Sequence, residues 1–387
     1  MLVVDGLGLS GKTKALVDLA IGLDRSRFEP CVVCFRTEGS PLAAQLHDRG
    51  VPLEQVPIEE RLSIANLWRM IRVIRRLRPD IVHCYNPRAM LYGGLAARVL
   101  GIRAVVGSLS AFACMVPDRS RAFLPQQLIT ATRRNRLRNR FVAGLVRRLA
   151  VVSQRLGEEF CEFNGIATSR LRLVPYGVPI GEPAASPVRA SSRAQLRAQF
   201  GLAAQDIVVG SVGRLVEQKD YPTQLRGFAT AWRTEPRLMM ILIGEGPLRS
   251  ELESLAGSLG IASRIRFLGY RSDVVRLFHA MDIFALASKF EPFGIAILEA
   301  KANGVPILSS AVNEIPDILS HGKCGRLFEA SSAEGFSQAL IDLIRDPAGT
   351  LNMAAEAYRE AEVKHSLKSM IESYQCLYDE IYAETHV

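Results

Sequence analysis

Two kinds of hydrophobic pattern alternate along the chain. Short apolar runs such as LVVD (2–5), CVVCF (31–35) and AVVGS (104–108) are typical of buried strands. Between them lie segments in which apolar residues recur every three or four positions, as in helices with one buried face. Parallel strands joined by crossover helices produce this alternation. The sequence therefore predicts an α/β fold with doubly wound parallel sheets.

The alternation stops once and then starts again. Residues 181–200 are rich in Ala, Ser, Pro and Arg and have no core pattern before Leu196, and the strand pattern resumes at DIVVGSVG (206–213). We therefore expect two Rossmann-like domains in succession. The expected boundaries are 1–178 for the first domain, 179–200 for a linker or exposed excursion, 201–365 for the second domain and 366–387 for a C-terminal amphipathic helix.

The chain of 387 residues carries a net charge of +9. Its positive charge is concentrated in the first half. Nine arginines, and no lysine or acidic residue, lie from Arg119 to Arg148, and four more lie in the amphipathic segment 62–77. Two interpretations explain these arginines equally well. They are solvated helix faces, or they form a surface that binds anionic membrane lipids or an anionic acceptor. Nucleic acid is not expected, because no interleaved aromatic residues or zinc-finger spacing accompany the arginines.

The location of the protein is predicted from what the sequence lacks. The longest apolar runs are far shorter than the roughly 18 residues of a membrane span, and the start MLVVDGLGLSGK has no basic leader. The seven cysteines are scattered and form no paired CxxC motifs of a zinc site. We expect a cytoplasmic protein, with association at the inner face of the membrane as a separate hypothesis, and no bound metal.

Two turns in the second half place charged side chains at strand ends. Arg214 and Lys219 follow the strand pattern that ends at Val212, and Gly244-Glu245-Gly246 follows the next one. The carboxyl ends of parallel strands are where α/β sheets bind ligands. Two cations on such a loop can neutralise a departing diphosphate.

A third strand end combines two carboxylates with a helix start. Glu291 precedes a Pro-Gly turn, and Glu299 lies about 8 Å further along the helix that begins near Gly294, at 1.5 Å per residue. The N–H groups of a helix start favour an anion. This spacing suits a ligand with hydroxyl groups at both ends and phosphates between them, although two glutamates on a helix more often face solvent.

Together these motifs resemble the retaining nucleotide-sugar glycosyltransferases of family 4, which have the GT-B fold. The matching patterns are E-x7-E (Glu291, Glu299), G-R-x4-K (Gly213, Arg214, Lys219) and GEGP, and PDIVHCYN (79–86), VVS (151–153) and VPYGV (174–178) match in the first half. The resemblance implies two Rossmann-like domains facing a cleft, with the donor nucleotide on the second. It also implies that the C-terminal helix crosses back to the first domain.

The resemblance also implies roles for individual residues. Arg214 and Lys219 would bind the donor diphosphate, Glu299 the ribose hydroxyls and Glu291 the transferred sugar, which gives Arg214, Lys219 and Glu291 as catalytic candidates. The remaining donor-binding candidates are Gly11, Gly213, Gly244, Gly246, Tyr270, Phe293, Gly294 and Ile295.

The implied reaction moves a hexose, with retention of configuration, from a nucleoside diphosphate sugar to a lipid-linked or growing polysaccharide acceptor. A UDP-sugar is the favoured donor and no further cofactor is implied. The family usually works without a metal, and the sequence contains no Asp-x-Asp pair. Stabilising the positive charge that develops on the sugar is the main electrostatic task, and the leaving phosphate can serve as the base.

The first half contains a competing motif. Gly6 to Thr13 fits the P-loop pattern G-x4-G-K-[ST], so a nucleoside triphosphatase that uses Lys12 and Thr13 is an alternative. However, no apolar strand ends in the Asp that helps such enzymes hold magnesium. The resemblance instead places Gly11 in a turn that closes over the donor phosphates or the acceptor. A non-catalytic sugar-nucleotide-binding protein is the third alternative.

Three residues are candidates for the acceptor side: Lys12, His83 and Ser108. Lys12 either contacts phosphate or faces solvent. His83 ends a strand pattern and fits a packed core histidine as well as a ligand-facing one. Ser108-Leu109-Ser110 stands where the family often has a histidine that faces the donor sugar.

Overall fold

The structure is a computed structural model that describes residues 1–8, 10–37, 39–58, 63–109, 133–183, 186–291 and 293–386. The chain divides into two compact units. The first unit comprises Met1–Gly177 and Leu367–Val387, and the second comprises Val178–Ser366.

The first unit is built on a parallel sheet, which has seven strands in the described part of the chain, in the order β3-β2-β1-β4-β5-β6-β7. The strands are β1 (Leu2–Gly6), β2 (Val32–Arg36), β3 (Leu53–Gln55), β4 (Val82–Cys84), β5 (Val105–Ser108), β6 (Arg148–Val151) and β7 (Leu171–Leu173). Its helices are α1 (Gly11–Gly22), α2 (Pro41–Asp48), α3 (Ile64–Leu77), α4 (Pro87–Val99), α5 (Arg133–Gly144), α6 (Gln154–Asn164) and α15 (Leu367–His386).

The second unit repeats this plan, with six described strands in the order β10-β9-β8-β11-β12-β13. They are β8 (Ile207–Val212), β9 (Leu238–Ile243), β10 (Ile265–Gly269), β11 (Ile283–Leu286), β12 (Ile307–Ser310) and β13 (Arg326–Phe328). The helices are α7 (Pro187–Gln199), α8 (Tyr221–Thr234), α9 (Arg249–Ser258), α10 (Val274–Leu277), α11 (Ile295–Ala302), α12 (Ile315–Ile318), α13 (Ala333–Arg345) and α14 (Pro347–Lys364).

Both sheets have the strand order of a doubly wound Rossmann-like fold, because the chain works outward from a central strand and then returns to its other side. All pairings between the described strands are parallel. The predicted α/β fold with two such sheets is confirmed. Each unit has its own apolar core, built from strand residues and from the helix stripes that pack on them.

Helix α3 illustrates how the pattern produces the packing. Ser63 caps the helix, with its hydroxyl accepting from the N–H of Ala65 at 3.2 Å. Met70 and Ile74 on its apolar stripe are buried in the core of the first unit. On the opposite face, Ile64 and Trp68 are 77% and 60% exposed.

The C-terminal helix α15 packs on the first unit, as predicted. Its buried stripe comprises Met370, Tyr374, Leu377, Tyr378 and Ile381. At the surface, Asp379 accepts a hydrogen bond from Arg27 at 2.6 Å, and Glu384 accepts one from Arg147 at 2.7 Å. The first unit is therefore assembled from both ends of the chain.

The segment 181–200 differs from the expected linker or excursion, because it contains helix α7. Arg193 and Arg197 on this helix both form ion pairs with Asp282, just before β11, and Arg197 is buried. Only one of the buried residues of this helix, Leu196, is apolar, and the paired arginines supply contacts that apolar residues usually supply. The hydrophobic pattern therefore gives little sign of the packing.

Candidate functional site

The predicted donor residues lie at the carboxyl ends of four neighbouring strands in the second unit. The loop Gly213–Lys219 follows β8, Gly244–Gly246 follows β9, Tyr270 follows β10, and Glu291 lies five residues after β11. β8 and β11 are neighbours from which the sheet is continued in opposite directions. Ligands of open α/β sheets bind at such a switch point.

Backbone hydrogen bonds lock the loop after β8 to the turn after β9. The N–H of Gly213 donates to the Ile243 carbonyl at 3.0 Å, and the N–H of Leu215 donates to the Glu245 carbonyl at 2.9 Å. Gly244 has φ of 138°, and a Cβ there would overlap the carbonyl oxygen of Gly213. The two loops can approach this closely only because glycine occupies the turn.

Gly246 meets the same constraint, because a Cβ there would overlap the carbonyl oxygen of Leu215. Arg214 lies between Gly213 and Leu215, whose N–H groups form the hydrogen bonds to the turn after β9. Its side chain is exposed and forms no ion pair with any residue that the structure describes. Its guanidinium thus extends from a rigid backbone with its hydrogen-bond donors open to a ligand.

An ion pair between Lys219 and Glu291 bridges the ends of β8 and β11. Glu291 is only 7% exposed, and its carboxylate also accepts from the hydroxyl of Ser288 at 3.3 Å and from the N–H of Gly294 at 3.3 Å. A buried carboxylate requires such partners. The pair therefore fixes two predicted catalytic side chains at one point of the sheet edge.

The turn after Glu291 starts helix α11. Gly294 is the N-cap residue with φ of 73°, which is the left-handed region that glycine tolerates. The first N–H groups of a helix have no carbonyl partner within that helix, so the start of α11 can donate hydrogen bonds to a ligand. Phe293 is buried beside them, and the half-buried Glu299 lies one turn further along.

Tyr270 follows the carboxyl end of β10, at the outer end of the row of four strands. It is 55% exposed. The neighbouring Arg271 is held by Asp273 through two hydrogen bonds of 2.8 and 2.7 Å. The tyrosine ring is therefore available at this edge for stacking on a ligand.

Four residues that the sequence reasoning missed shape this site. Tyr221 donates to the Gly213 carbonyl at 3.2 Å, and burial raises the pKa of its hydroxyl, which stays protonated. Gln218 donates to the Phe290 carbonyl at 2.9 Å, and Asn313 accepts from the N–H of Glu291 at 3.1 Å. Together with Ser288, these residues act through individual hydrogen bonds, two of which join different loops. Such contacts have no spacing signature in the sequence.

The turn with the P-loop pattern lies at the corresponding switch point of the first unit, between β1 and β4. Gly11 and Lys12 are exposed at the start of α1. The hydroxyl of Ser10 caps this helix and lies 2.9 Å from that of Thr13. The strands on either side of β1 end in Arg36 and Cys84 rather than in the Asp of a P-loop enzyme, so the triphosphatase alternative is not favoured.

His83 and Ser108, two of the predicted acceptor-side residues, lie together in a buried network. His83 Nδ1 is 2.6 Å from the Tyr378 hydroxyl, and His83 Nε2 is 2.8 Å from the Ser108 hydroxyl. Burial lowers the pKa of His83 to about 3. The histidine is therefore neutral, and it links β4 to the C-terminal helix.

The arginine-rich segment Arg119–Arg148 is described only in part. Arg119 and Arg121 lie outside the described residues, as does Ser110. At the other end of the segment, Arg147 and Arg148 form ion pairs with Glu384 of α15. The positive charge predicted for this segment is therefore partly compensated within the first unit.

Comparison with known proteins identifies the class. The family described as Glycosyltransferase Family 4 matches residues 10–182, and the family described as Glycosyl transferases group 1 matches residues 192–362. The two matches cover the two units in turn. The chain belongs to the family 4 glycosyltransferases, which confirms the predicted resemblance, and it has their GT-B fold.

Two curated relatives are similar to this chain over part or most of its length. The lipopolysaccharide core biosynthesis glycosyltransferase LpsE of Rhizobium meliloti is 30% identical over 167 residues, 43% of this chain and 48% of LpsE. The UDP-Gal:alpha-D-GlcNAc-diphosphoundecaprenol alpha-1,3-galactosyltransferase of Escherichia coli is 24% identical over 335 residues, 84% of this chain and 82% of that enzyme. The chain thus spans about half the length of LpsE and of other curated relatives that it matches.

A solved structure shows the same fold. Anabaena HepE in complex with UDP superposes with a TM-score of 0.80 over 98% of this chain and 99% of HepE, at 20% identity. HepE has also been solved with UDP-glucose. Among the residues described for the present chain, no helix is both long and apolar enough to cross a membrane.

Proposed function

We propose that this protein transfers a hexose from a nucleoside diphosphate sugar, with UDP as the carrier, to a lipid-linked or growing polysaccharide acceptor. The observation that carries the proposal is the Lys219–Glu291 ion pair at the switch point of the second sheet, with the exposed Arg214 on the same loop. HepE binds UDP and UDP-glucose, and the name of the Escherichia coli relative specifies a UDP-sugar and a lipid-linked acceptor.

In the proposed reaction, the bond between the anomeric carbon and the diphosphate oxygen breaks, and the electron pair leaves with the diphosphate. Arg214 and Lys219 neutralise the charge that builds up on the diphosphate. The Lys219 ammonium has three donors, so it can bind a phosphate oxygen while it keeps Glu291 in place. The first N–H groups of α11 add partial positive charge at the same point.

The proposed step then retains the configuration of the sugar. The acceptor hydroxyl forms its bond to the anomeric carbon on the face that the diphosphate leaves, and its proton passes to a phosphate oxygen. Glu291 faces the sugar and stabilises its developing positive charge, while Glu299 accepts from the ribose hydroxyls. No metal is assigned a part, because the two cationic side chains and the helix start supply the positive charge that the diphosphate needs.

Binding tests the donor site. We expect UDP to raise the melting temperature of the protein without magnesium, because a ligand bound only by the native state stabilises it. Arg214→Ala removes a charge-assisted contact and should weaken UDP binding about tenfold or more. Arg226→Ala is the matched control, because Arg226 is an exposed arginine of the same unit on α8. UDP binding that is equal in the three proteins would refute the assignment of the diphosphate.

Turnover tests the reaction. Labelled UDP-sugars are incubated with lipid-linked and polysaccharide acceptors in the presence of a chelator, and the anomeric configuration of the product is read by NMR. Transfer with retention supports the proposal. UDP binding without transfer or donor hydrolysis would support the non-catalytic alternative, and magnesium-dependent ATP turnover lost in Lys12→Ala would support the triphosphatase.

Association with anionic membranes is proposed as well. The exposed Ile64 and Trp68 share a face of α3 with Arg72, and an apolar residue beside a cation is typical of helices that lie at a lipid interface. Flotation with anionic vesicles at low and high salt tests this. Trp68→Ser should reduce flotation, and no binding at any salt concentration would refute the association.

A further inference from the structure

A charged cavity lies in the first unit, at the amino ends of its strands. The candidate acceptor-side residues lie at the opposite edge of the sheet, at the carboxyl ends of the strands. The volume of the cavity is about 750 Å³. It lies where β5, β6 and β7 begin and where α4 and α5 end, whereas Ser108 is the last residue of β5. Five arginines line it: Arg98, Arg103, Arg147, Arg148 and Arg170.

The positive charge of this cavity exceeds the negative charge around it. Arg147 and Arg148 are paired with Glu384, and Arg148 also with Glu380 at 3.1 Å. Within the part of the chain that the structure describes, Arg98, Arg103 and Arg170 form no ion pair. Burial and, to a lesser extent, the neighbouring cations Arg148 and Arg98 lower the pKa of Arg170. Three positive charges around one cavity are thus left without a carboxylate partner.

A structural role for these arginines accounts for only part of the arrangement. Arg98 donates to the Gly144 carbonyl at 2.5 Å, and Arg170 donates to the Ala143 and Val146 carbonyls, so both satisfy the end of α5. The negative end of a helix dipole amounts to about half a charge, and a guanidinium has five N–H donors. The ends of α4 and α5 together amount to about one negative charge at the cavity, which the two positive charges of Arg98 and Arg170 exceed. Among the described residues, the exposed Arg103 forms no hydrogen bond to the helix end.

We propose that this cavity is a binding site for a phosphate-bearing anion with two or more negative charges. The planar fork of a guanidinium matches two phosphate oxygens, and three cations without a carboxylate partner favour a diphosphate over a single carboxylate. The volume lies within the roughly 300–1,000 Å³ of small-molecule pockets. A free phosphorylated molecule and a lipid phosphate head group share this chemistry. The site is separate from the donor site, and its existence does not depend on the proposed reaction.

Calorimetric titration of the full chain with inorganic pyrophosphate tests the site. The titration is done on Arg214→Ala, so that the proposed donor loop contributes little. Adding Arg103→Glu reverses one exposed charge at the cavity and should weaken pyrophosphate binding at least tenfold, whereas adding Arg226→Glu should not. Equal affinity in the Arg103→Glu and Arg226→Glu proteins, or no binding of pyrophosphate and of vesicles, would overturn the proposal.

A second measurement identifies the source of the phosphate. Flotation with phosphatidylglycerol vesicles is compared between the wild-type chain and Arg103→Glu. Pyrophosphate binding that depends on Arg103, without vesicle binding that does, assigns the site to a free phosphorylated ligand. Flotation that is lost in Arg103→Glu and suppressed by pyrophosphate assigns it to a lipid head group. UDP binding by the Arg103→Glu protein separates this test from the proposed function, because the variant leaves the donor loop intact.

Discussion

At the scale of single residues, the Lys219–Glu291 pair combines a structural and a chemical role. Both side chains are largely withdrawn from water, and the carboxylate has two further hydrogen-bond donors in Ser288 and Gly294. Removing one member of a buried pair leaves a charge without its partner, which costs more than the pair itself contributes. The energetic coupling between the two residues should therefore be measurable without substrate.

We expect Lys219→Met and Glu291→Gln each to lower the free energy of unfolding by about 2 kcal/mol, less than for a fully buried pair because both side chains keep some contact with water. The double variant should lose clearly less than the sum, since no unpaired charge remains in it. Urea unfolding of the four proteins gives the coupling energy. Strictly additive losses would show that the two residues do not interact in solution.

Gly244 provides a second test at this scale. A methyl group there would collide with the carbonyl oxygen of Gly213, and the φ of 138° disfavours any side chain. We expect Gly244→Ala to lower the free energy of unfolding by about 3 kcal/mol, from overpacking and backbone strain. The loop that carries Arg214 should shift, so UDP binding should weaken as well.

Gly257 on α9 is the matched control, because a Cβ there meets nothing within 4 Å. Gly257→Ala should instead raise the free energy of unfolding by about 0.5 kcal/mol, since alanine is the better helix residue. Thermal and urea unfolding of the two variants report the difference. Equal effects of the two substitutions would contradict the close approach of the two loops.

At the scale of elements, helix α15 is joined to β4 and β5 by buried polar contacts. His83 hydrogen-bonds Tyr378 and Ser108, and its pKa is lowered to about 3 by burial. An unfolded chain takes up a proton on this histidine below its ordinary pKa of 6.5, and the folded chain does not. The histidine therefore reduces stability as the pH falls from 6.5 towards 3, by about 1.4 kcal/mol per pH unit.

The prediction for pH follows from that difference. Between pH 7.5 and pH 5, wild type should lose about 2 kcal/mol more of its unfolding free energy than His83→Gln does. Urea unfolding at both pH values measures the two losses. His47→Gln, at an exposed histidine on α2, should behave like wild type. Equal pH dependence of wild type and His83→Gln would mean that His83 is also protonated in the folded protein.

The elements also show which parts of the fold the sequence predicts and which parts it does not. The sequence predicts strands with long apolar runs, such as β8 and β9, and helices with a clear apolar stripe, such as α3 and α15. In these elements the hydrophobic pattern shows which residues are buried. Strand β3 has only one apolar residue, Leu53, and therefore carries no hydrophobic pattern. Helix α7 is held by the Arg193 and Arg197 pairs with Asp282, which look like surface charges in a sequence.

The candidate site likewise contains residues that the sequence predicts and residues that it does not. Glycines and charged residues at strand ends marked Arg214, Lys219 and Glu291, because the topology of parallel strands brings such ends together. The contacts of Gln218 and Asn313 depend on which loops touch, and only the fold decides that. The P-loop pattern at Gly6–Thr13 misleads for the same reason, since its function requires an acidic residue on a neighbouring strand.

At the scale of the whole molecule, the chain starts the first unit, completes the second and then returns to finish the first. The returning helix α15 buries five large side chains, among them Tyr374, Leu377 and Ile381. At about 1.5–3 kcal/mol for each buried side chain, this contact contributes roughly 10 kcal/mol. That is comparable with the total stability of a typical domain. The first unit should therefore depend on the last residues of the chain, and the second should not.

Truncation after Ser366 tests this dependence. We expect the first unit to lose its cooperative unfolding transition in calorimetry, because the aromatic side chains that cover His83 are removed with the helix. The second unit, Val178–Ser366, keeps its own core and sheet and should retain a separate transition. UDP should still raise the temperature of that transition, since the proposed donor residues all lie there except Gly11. Loss of both transitions on truncation would show that the two units fold as one, and retention of both would show that α15 contributes little to the first.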